Sequence, residues 1–235
     1  MKNYGLFTAI SLAALGAAGP ATAATNLVTN GDFENGTLAG WTVTNNSTGS
    51  FYAIANGGNV PESGHGTQVN PGGGNFVAVS DQTGPGGQTL SQAFTTTGGD
   101  LTLTFDWFNN DHSGQFGSAI DGSQQSGRVD IMFATAGAFD VGAGVAQNLI
   151  LNQGTFTSFG TTIPWQSASF TLTGLAAGNY ALRFGNGQCC FFQEFGVDNV
   201  VLLTAGPEPT TWMLMIAGFG MTGFAMRRRP IATVA

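Results

Sequence analysis

The sequence predicts an all-β fold, an antiparallel β-sandwich of jelly-roll type, with an N-terminal signal peptide before it and a single transmembrane helix after it. Three observations predict this. The run "LTLTFDWF" puts Leu101, Leu103, Phe105 and Trp107 on one face and Thr102, Thr104 and Asp106 on the other, the period of two of a half-buried strand. Similar short runs recur along the middle of the chain, with Gly, Asn, Asp, Ser or Pro near their ends and no amphipathic helix between them. The two ends are apolar and unlike that middle.

Taken in order, "MKNYGLFTAISLAALGAAGPATAAT" carries one lysine, an apolar stretch from Leu6 to Ala18, and small residues at Ala21-Thr22-Ala23. That is the layout of a secretory signal peptide, residues 1–23, cleaved after Ala23 or Ala24. Residues 24–205 hold the strands. They are expected at "GWTVT" (40), "FYAIA" (51), "NFVAVS" (75), "QTLSQAF" (88), Leu101–Phe108, "RVDIMFA" (128), "SASFTL" (167), "NYALRFG" (179) and "VDNVVLL" (197). About eight to ten short strands in one domain make two packed sheets.

Composition limits the partners. Between Thr25 and Ala205 the only bases are Arg128 and Arg183, while all 13 acidic residues except Glu208 fall there. A net charge of about −10 repels nucleic acid, whose binding needs clustered Lys and Arg. The 37 glycines are about twice the usual share, yet 19 phenylalanines and 4 tryptophans supply a packed interior with glycine-rich loops. The 2 cysteines, Cys189 and Cys190, are adjacent. They cannot close a loop, and buried thiols, a vicinal disulfide and an intermolecular disulfide stay open.

Catalysis is not expected. Asp106, Asp111, His112 and Asp121 gather in Phe105–Gly127, but no Gly-x-Ser-x-Gly elbow or His-Glu-x-x-His pair is present. The expected ligand-binding residues are Trp165, Asp111 and Phe116: an aromatic face stacks on a pyranose ring while polar groups fix its hydroxyls. Trp41 and Trp107 are expected in the core, and Trp165, beside Pro164, in a loop with its ring exposed. Self-association of a low-charge, Gly/Thr/Asn-rich surface in a structural matrix is the alternative to glycan binding, and a glycan-active enzyme a further one.

The opening "NLVTNGDFENGTLAGWTV" and the closing "FGVDNVVLL" resemble the galactose-binding-like jelly roll of carbohydrate-binding modules. The resemblance implies that the first and last strands lie side by side. It also implies a structural calcium where they meet, held by Glu34 and Asp198 with Asp32 or nearby carbonyls, since calcium takes oxygen ligands from carboxylates and carbonyls.

The tail spans residues 206–230. Thr211 to Met226 is uncharged and is expected to form a membrane-inserted helix at about 211–226, roughly 24 Å long against a bilayer core of about 30 Å. Arg227, Arg228 and Arg229 would snorkel and hold its end in the cytoplasm. Pro207, Glu208 and Pro209, then Trp212, the Gly218-Phe219-Gly220 segment and those arginines resemble the PEP-CTERM sorting signal of Gram-negative bacteria, also named the ice-binding-protein C-terminal domain. The resemblance implies export, a transient anchor in the inner membrane, processing by an exosortase, and release to the cell surface or the extracellular exopolysaccharide or biofilm.

Overall fold

The computed structural model describes residues 23–46, 48–81, 84–111, 119–121, 123, 126–152, 161–189, 193–206 and 209–227. The signal peptide, His112, Phe116, Cys190, Pro207, Glu208, Arg228 and Arg229 lie outside the described residues. Residues Ala24–Ala205 form one compact unit.

Its strands are β1 (Thr42–Asn45), β2 (Ser50–Ala55), β3 (Phe76–Asp81), β4 (Gly86–Thr96), β5 (Leu101–Asp111), β6 (Ser126–Phe133), β7 (Val145–Asn152), β8 (Thr161–Leu172), β9 (Gly178–Gln188) and β10 (Gln193–Thr204). They make two antiparallel sheets, ordered β1-β4-β9-β6-β7 and β2-β3-β10-β5-β8. Without the edge strands β1 and β2, the chain crosses from one sheet to the other at every connection from β3 to β10 except the β6–β7 pair. That order is the jelly roll, two sheets wound together from Greek keys.

Alternation places the core as the sequence predicts. Leu101, Leu103, Phe105 and Trp107 are buried on the inner face of β5, while Thr102 is exposed and Thr104 and Asp106 half-buried. Trp41 packs between Phe33 and Phe184, with centroids 5.7 and 5.9 Å away, and Trp107 lies against Phe195. Both are core, as expected. The strand missing from the sequence reading is β7, whose pairing with β6 shifts register between Val129 and Asp130 and again between Ile131 and Met132. Such bulges put an extra residue on one strand and break the period of two.

The opening motif is a structural clasp. Thr25, Leu27 and Gly31 exchange backbone hydrogen bonds with Thr204, Leu202 and Val200, and Asn26 bridges Leu203, so the first segment does run beside the last strand. A Cβ on Gly31 would sit 2.0 Å from the Val200 carbonyl oxygen, so only glycine fits. Asn30 is in the left-handed region (φ 49°) and its amide donates to the Thr37 and Ala39 carbonyls, while Phe33 (φ 54°) is driven into the core. The Trp41 indole N–H closes the loop on the Asn30 carbonyl at 3.0 Å.

Cys189 is disulfide-bonded, which removes the free-thiol alternative; the chain's one other cysteine is its neighbour in sequence.

The tail forms one helix, α1 (Pro209–Arg227), with Pro209 at its start, where the missing N–H has no intrahelical partner to lose. Leu214, Ile216, Phe219 and Met221 are exposed. The expected span needs correction: among the described residues no helix is long and apolar enough to cross a membrane. Thr210, Thr211, Gly218, Gly220, Thr222 and Gly223 dilute the apolar residues of a short helix.

Candidate functional site

The two acids that the motifs single out meet a glycine loop on the outer face of the β3-β10-β5-β8 region. Asn70-Pro71-Gly72-Gly73-Gly74 runs over them: a Cβ on Gly73 would sit 2.5 Å from Asp198 Oδ2, and one on Gly74 would sit 2.3 Å from Glu34 Oε1. Close approach of backbone to carboxylate is why three glycines stand there.

Asp198, on β10, is fully buried. Its Oδ2 accepts from the Asn70 amide at 3.0 Å and its Oδ1 from the Asn199 backbone N–H at 2.7 Å. Asn199 sits at φ 53°, where the β10–β5 register shifts, and its amide turns back to donate to the Gly72 carbonyl and to Asp106 Oδ2 at 2.8 Å. Burial, reinforced by the charges of Asp106 and Glu34, pushes the Asp198 carboxyl up to about 6. Asp106 also accepts from Ser167 Oγ at 2.6 Å and from the Asn70 amide at 3.3 Å. Glu34 caps the start of β3: the Phe76 and Asn75 backbone N–H groups and the Asn75 amide donate to it, which holds its carboxyl below the usual range.

Next to this cluster opens a depression of about 300 Å³ lined by Thr104, Phe105, Asp106, Ser167, Ala168, Ser169 and Asn199. Its polar groups come from the outward positions of β5 and β8 and from the bulge of β10. A carboxylate, three hydroxyls and an amide form a surface that can hydrogen-bond a polyol.

The expected calcium ligands are not arranged as a cage. Asp32 is exposed and its Oδ1 accepts from the Glu34 N–H in its own turn; Glu34 is committed to β3. Between Asp106 and Asp198 the Asn70 amide supplies N–H donors where a cation would need oxygens. Among the described residues no three His, Cys, Asp or Glu side chains converge on one point. The residues present therefore do not fit the group that the resemblance implies.

The expected ligand-binding residues also fall elsewhere. Trp165 lies within β8 and not in a loop; its ring is half-buried against Phe108, centroids 4.8 Å apart, and its N–H donates to the Gln68 carbonyl at 2.7 Å. The ring is thus anchored at its N–H and packed against Phe108. Asp111 ends β5, with its backbone paired to Gln193 and Thr161, and Phe116 is outside the described residues. Asp121 bonds Ser123 in an exposed turn, apart from Asp106. The sequence reading missed Asn70, Ser167 and Asn199; the Asn-Pro-Gly-Gly-Gly run and the Val-Asp-Asn-Val motif were the available signals.

Residues 207–229 match the PEP-CTERM protein-sorting motif. No curated protein matches this chain. Among solved structures, the chain is similar to the carbohydrate-binding module TmCBM61 in complex with β-1,4-galactotriose, at 12% identity and a TM-score of 0.45 over 76% of this chain and 97% of that one. It is similar to a cleaved adhesin domain of Lys-gingipain from Porphyromonas gingivalis, at 18% identity and a TM-score of 0.46 over 77% and 99%. It is also similar to a cyclase from Fischerella, at 15% identity and a TM-score of 0.49 over 79% and 100%. Strand order and tail together define the class: a jelly-roll sandwich followed by a PEP-CTERM sorting motif.

Proposed function

We propose that this is an exported, non-enzymatic surface protein, sorted by an exosortase, whose sandwich binds exopolysaccharide at the Asp106 depression. One observation carries the binding reading: Thr104, Asp106, Ser167, Ser169 and Asn199 line a single depression with hydroxyl, carboxylate and amide groups, the groups that exchange hydrogen bonds with sugar hydroxyls. A glycosidase needs two carboxyl groups flanking one bond. Asp198 does not line the depression, which leaves Asp106 as its one carboxyl group among the described residues.

The tail supports the address. A helix too short and too dilute to cross a bilayer unaided is held weakly, and the arginines after it favour the cytoplasmic side. Retention by the tail ends when the exosortase cuts near Pro207-Glu208-Pro209, so the anchor is transient by construction.

Titrating the full chain with exopolysaccharide from the producing cell tests the site. Asp106→Ala with Ser167→Ala should abolish binding while the variant still unfolds cooperatively, and unchanged affinity would sink the assignment. For sorting, cells without exosortase should retain the full-length chain in the membrane fraction; its recovery from the soluble periplasm would contradict the reading.

A further inference from the structure

Both cations of the sandwich are hidden. Arg128 and Arg183 are 3% and 1% exposed, and both pair with the fully buried Asp130. The other Lys and Arg residues, Lys2, Arg227, Arg228 and Arg229, lie outside residues 24–205. The sandwich thus presents no Lys or Arg side chain to solvent, whereas Asp32, Glu62, Asp100, Asp121 and Asp140 are exposed and Glu34 and Asp106 half-buried.

This distribution decides which polysaccharides can bind. A polymer carrying carboxylate or sulfate on its repeats meets like charge across this surface and finds no Lys or Arg to pair with. A neutral polymer lacks the contact that supplies most of the apolar attraction to a sugar, an exposed aromatic face. Among the described residues the one aromatic residue in the depression is Phe105, which is 2% exposed and packed in the core against Phe170 and Phe184.

What remains is the Asp106 carboxylate among hydroxyls. An ionised carboxylate offers about four acceptor sites. Asp106 uses one on Oδ1 for Ser167 and two on Oδ2 for Asn199 and, at 3.3 Å, Asn70, leaving Oδ1 with capacity toward the depression. An ammonium group brings donors alone and forms charge-assisted bonds to a carboxylate. We infer that the polymer held here is an amino polysaccharide, one whose hexose units carry free, unacetylated amino groups. The inference rests on the glycan-binding reading and names its substrate class.

The test uses the full chain in detergent and immobilised oligomers of equal length: glucosamine, N-acetylglucosamine and a polyuronate, with chelator present. Glucosamine oligomers should bind about tenfold more tightly than their acetylated counterparts, as one charge-assisted contact gives, and lose that margin at high salt. Asp106→Asn should remove the margin, while Asp100→Asn, which deletes an equal charge elsewhere on the surface, should keep it. Equal binding of both oligomers, each weakened by Asp106→Asn, overturns the amino-sugar inference and leaves glycan binding standing. Equal losses in the two variants overturn it in favour of diffuse charge attraction. Retention of the polyuronate overturns it as well. Retention of none of the three glycans removes the binding reading beneath it.

Discussion

Glu194 should make the sandwich less stable as pH rises toward neutrality, the opposite of the usual carboxylate. It lies on β10, fully buried, between Asn110 of β5 and the buried Asp81 of β3. The Asn110 amide donates to Oε2 at 3.2 Å, and Oε1 has no partner among the described residues. Burial, with Asp81 adding like charge, pushes its carboxyl up to about 7 from an ordinary 4.5. The folded state therefore binds the proton more tightly than the unfolded chain, and stability is lost from the unfolded value upward until the folded group has ionised. Between pH 5 and 8 the loss is about 2 to 3 kcal/mol, or about 5 to 10 °C in melting midpoint for a domain of this size. Glu194→Gln mimics the protonated form. Its midpoint should exceed the wild type at pH 8 by that amount and match it near pH 5, measured by differential scanning calorimetry in both buffers. Glu34 and Asp121, whose carboxyls are held low, gain their stabilisation below this range, and Asp198 titrates equally in both proteins. Parallel pH profiles for wild type and Glu194→Gln would refute the reasoning.

Three further outcomes follow from the geometry. Gly31→Ala forces a Cβ onto the Val200 carbonyl and should lower urea stability by about 2 to 4 kcal/mol; a loss under half that would show the clasp to be loose. Asp130→Ala strands the buried Arg128 and Arg183 guanidinium groups and should cost about 3 to 5 kcal/mol, whereas apolar replacement of all three should be far milder, both read from denaturant midpoints. A chelator should leave the melting midpoint of the wild type unchanged, because amide donors stand between Asp106 and Asp198; a fall of several degrees would show that a cation does gather Glu34 and Asp198.

Nearly all the strands were legible because each presents apolar side chains at alternate positions to one shared interior, and that constraint is written locally. β7 was not, since its bulged pairing with β6 makes apolar spacing irregular. Trp165 was misplaced for a related reason: Pro164 reads as a loop, but β8 is an edge strand, where a missing N–H costs no ladder bond on the open side. The site was legible in part. Glu34 and Asp198 stand in recognisable motifs, and the resemblance to the galactose-binding-like jelly roll implied that the first and last segments lie side by side. Asp106, Ser167, Asn70 and Asn199 come together through the pairing of Asp106 with both Ser167 and Asp198 and through a loop folded across the sheet. No local period encodes that juxtaposition.

The clasp also connects fold to processing. Thr25 N–H donates to the Thr204 hydroxyl at 2.9 Å and the Thr204 N–H donates to the Thr25 carbonyl at 3.0 Å, so the two ends of the sandwich are fastened to each other by adjacent residues. The expected signal-peptide cut lies just before Thr25, and the Pro-Glu-Pro segment begins just after Gly206. Both cuts therefore fall outside the last hydrogen bonds of the clasp, with Ala205 donating its N–H to the Asp100 carbonyl as the final tie. A domain closed in this way needs neither segment expected to be removed to hold its first residues against β10.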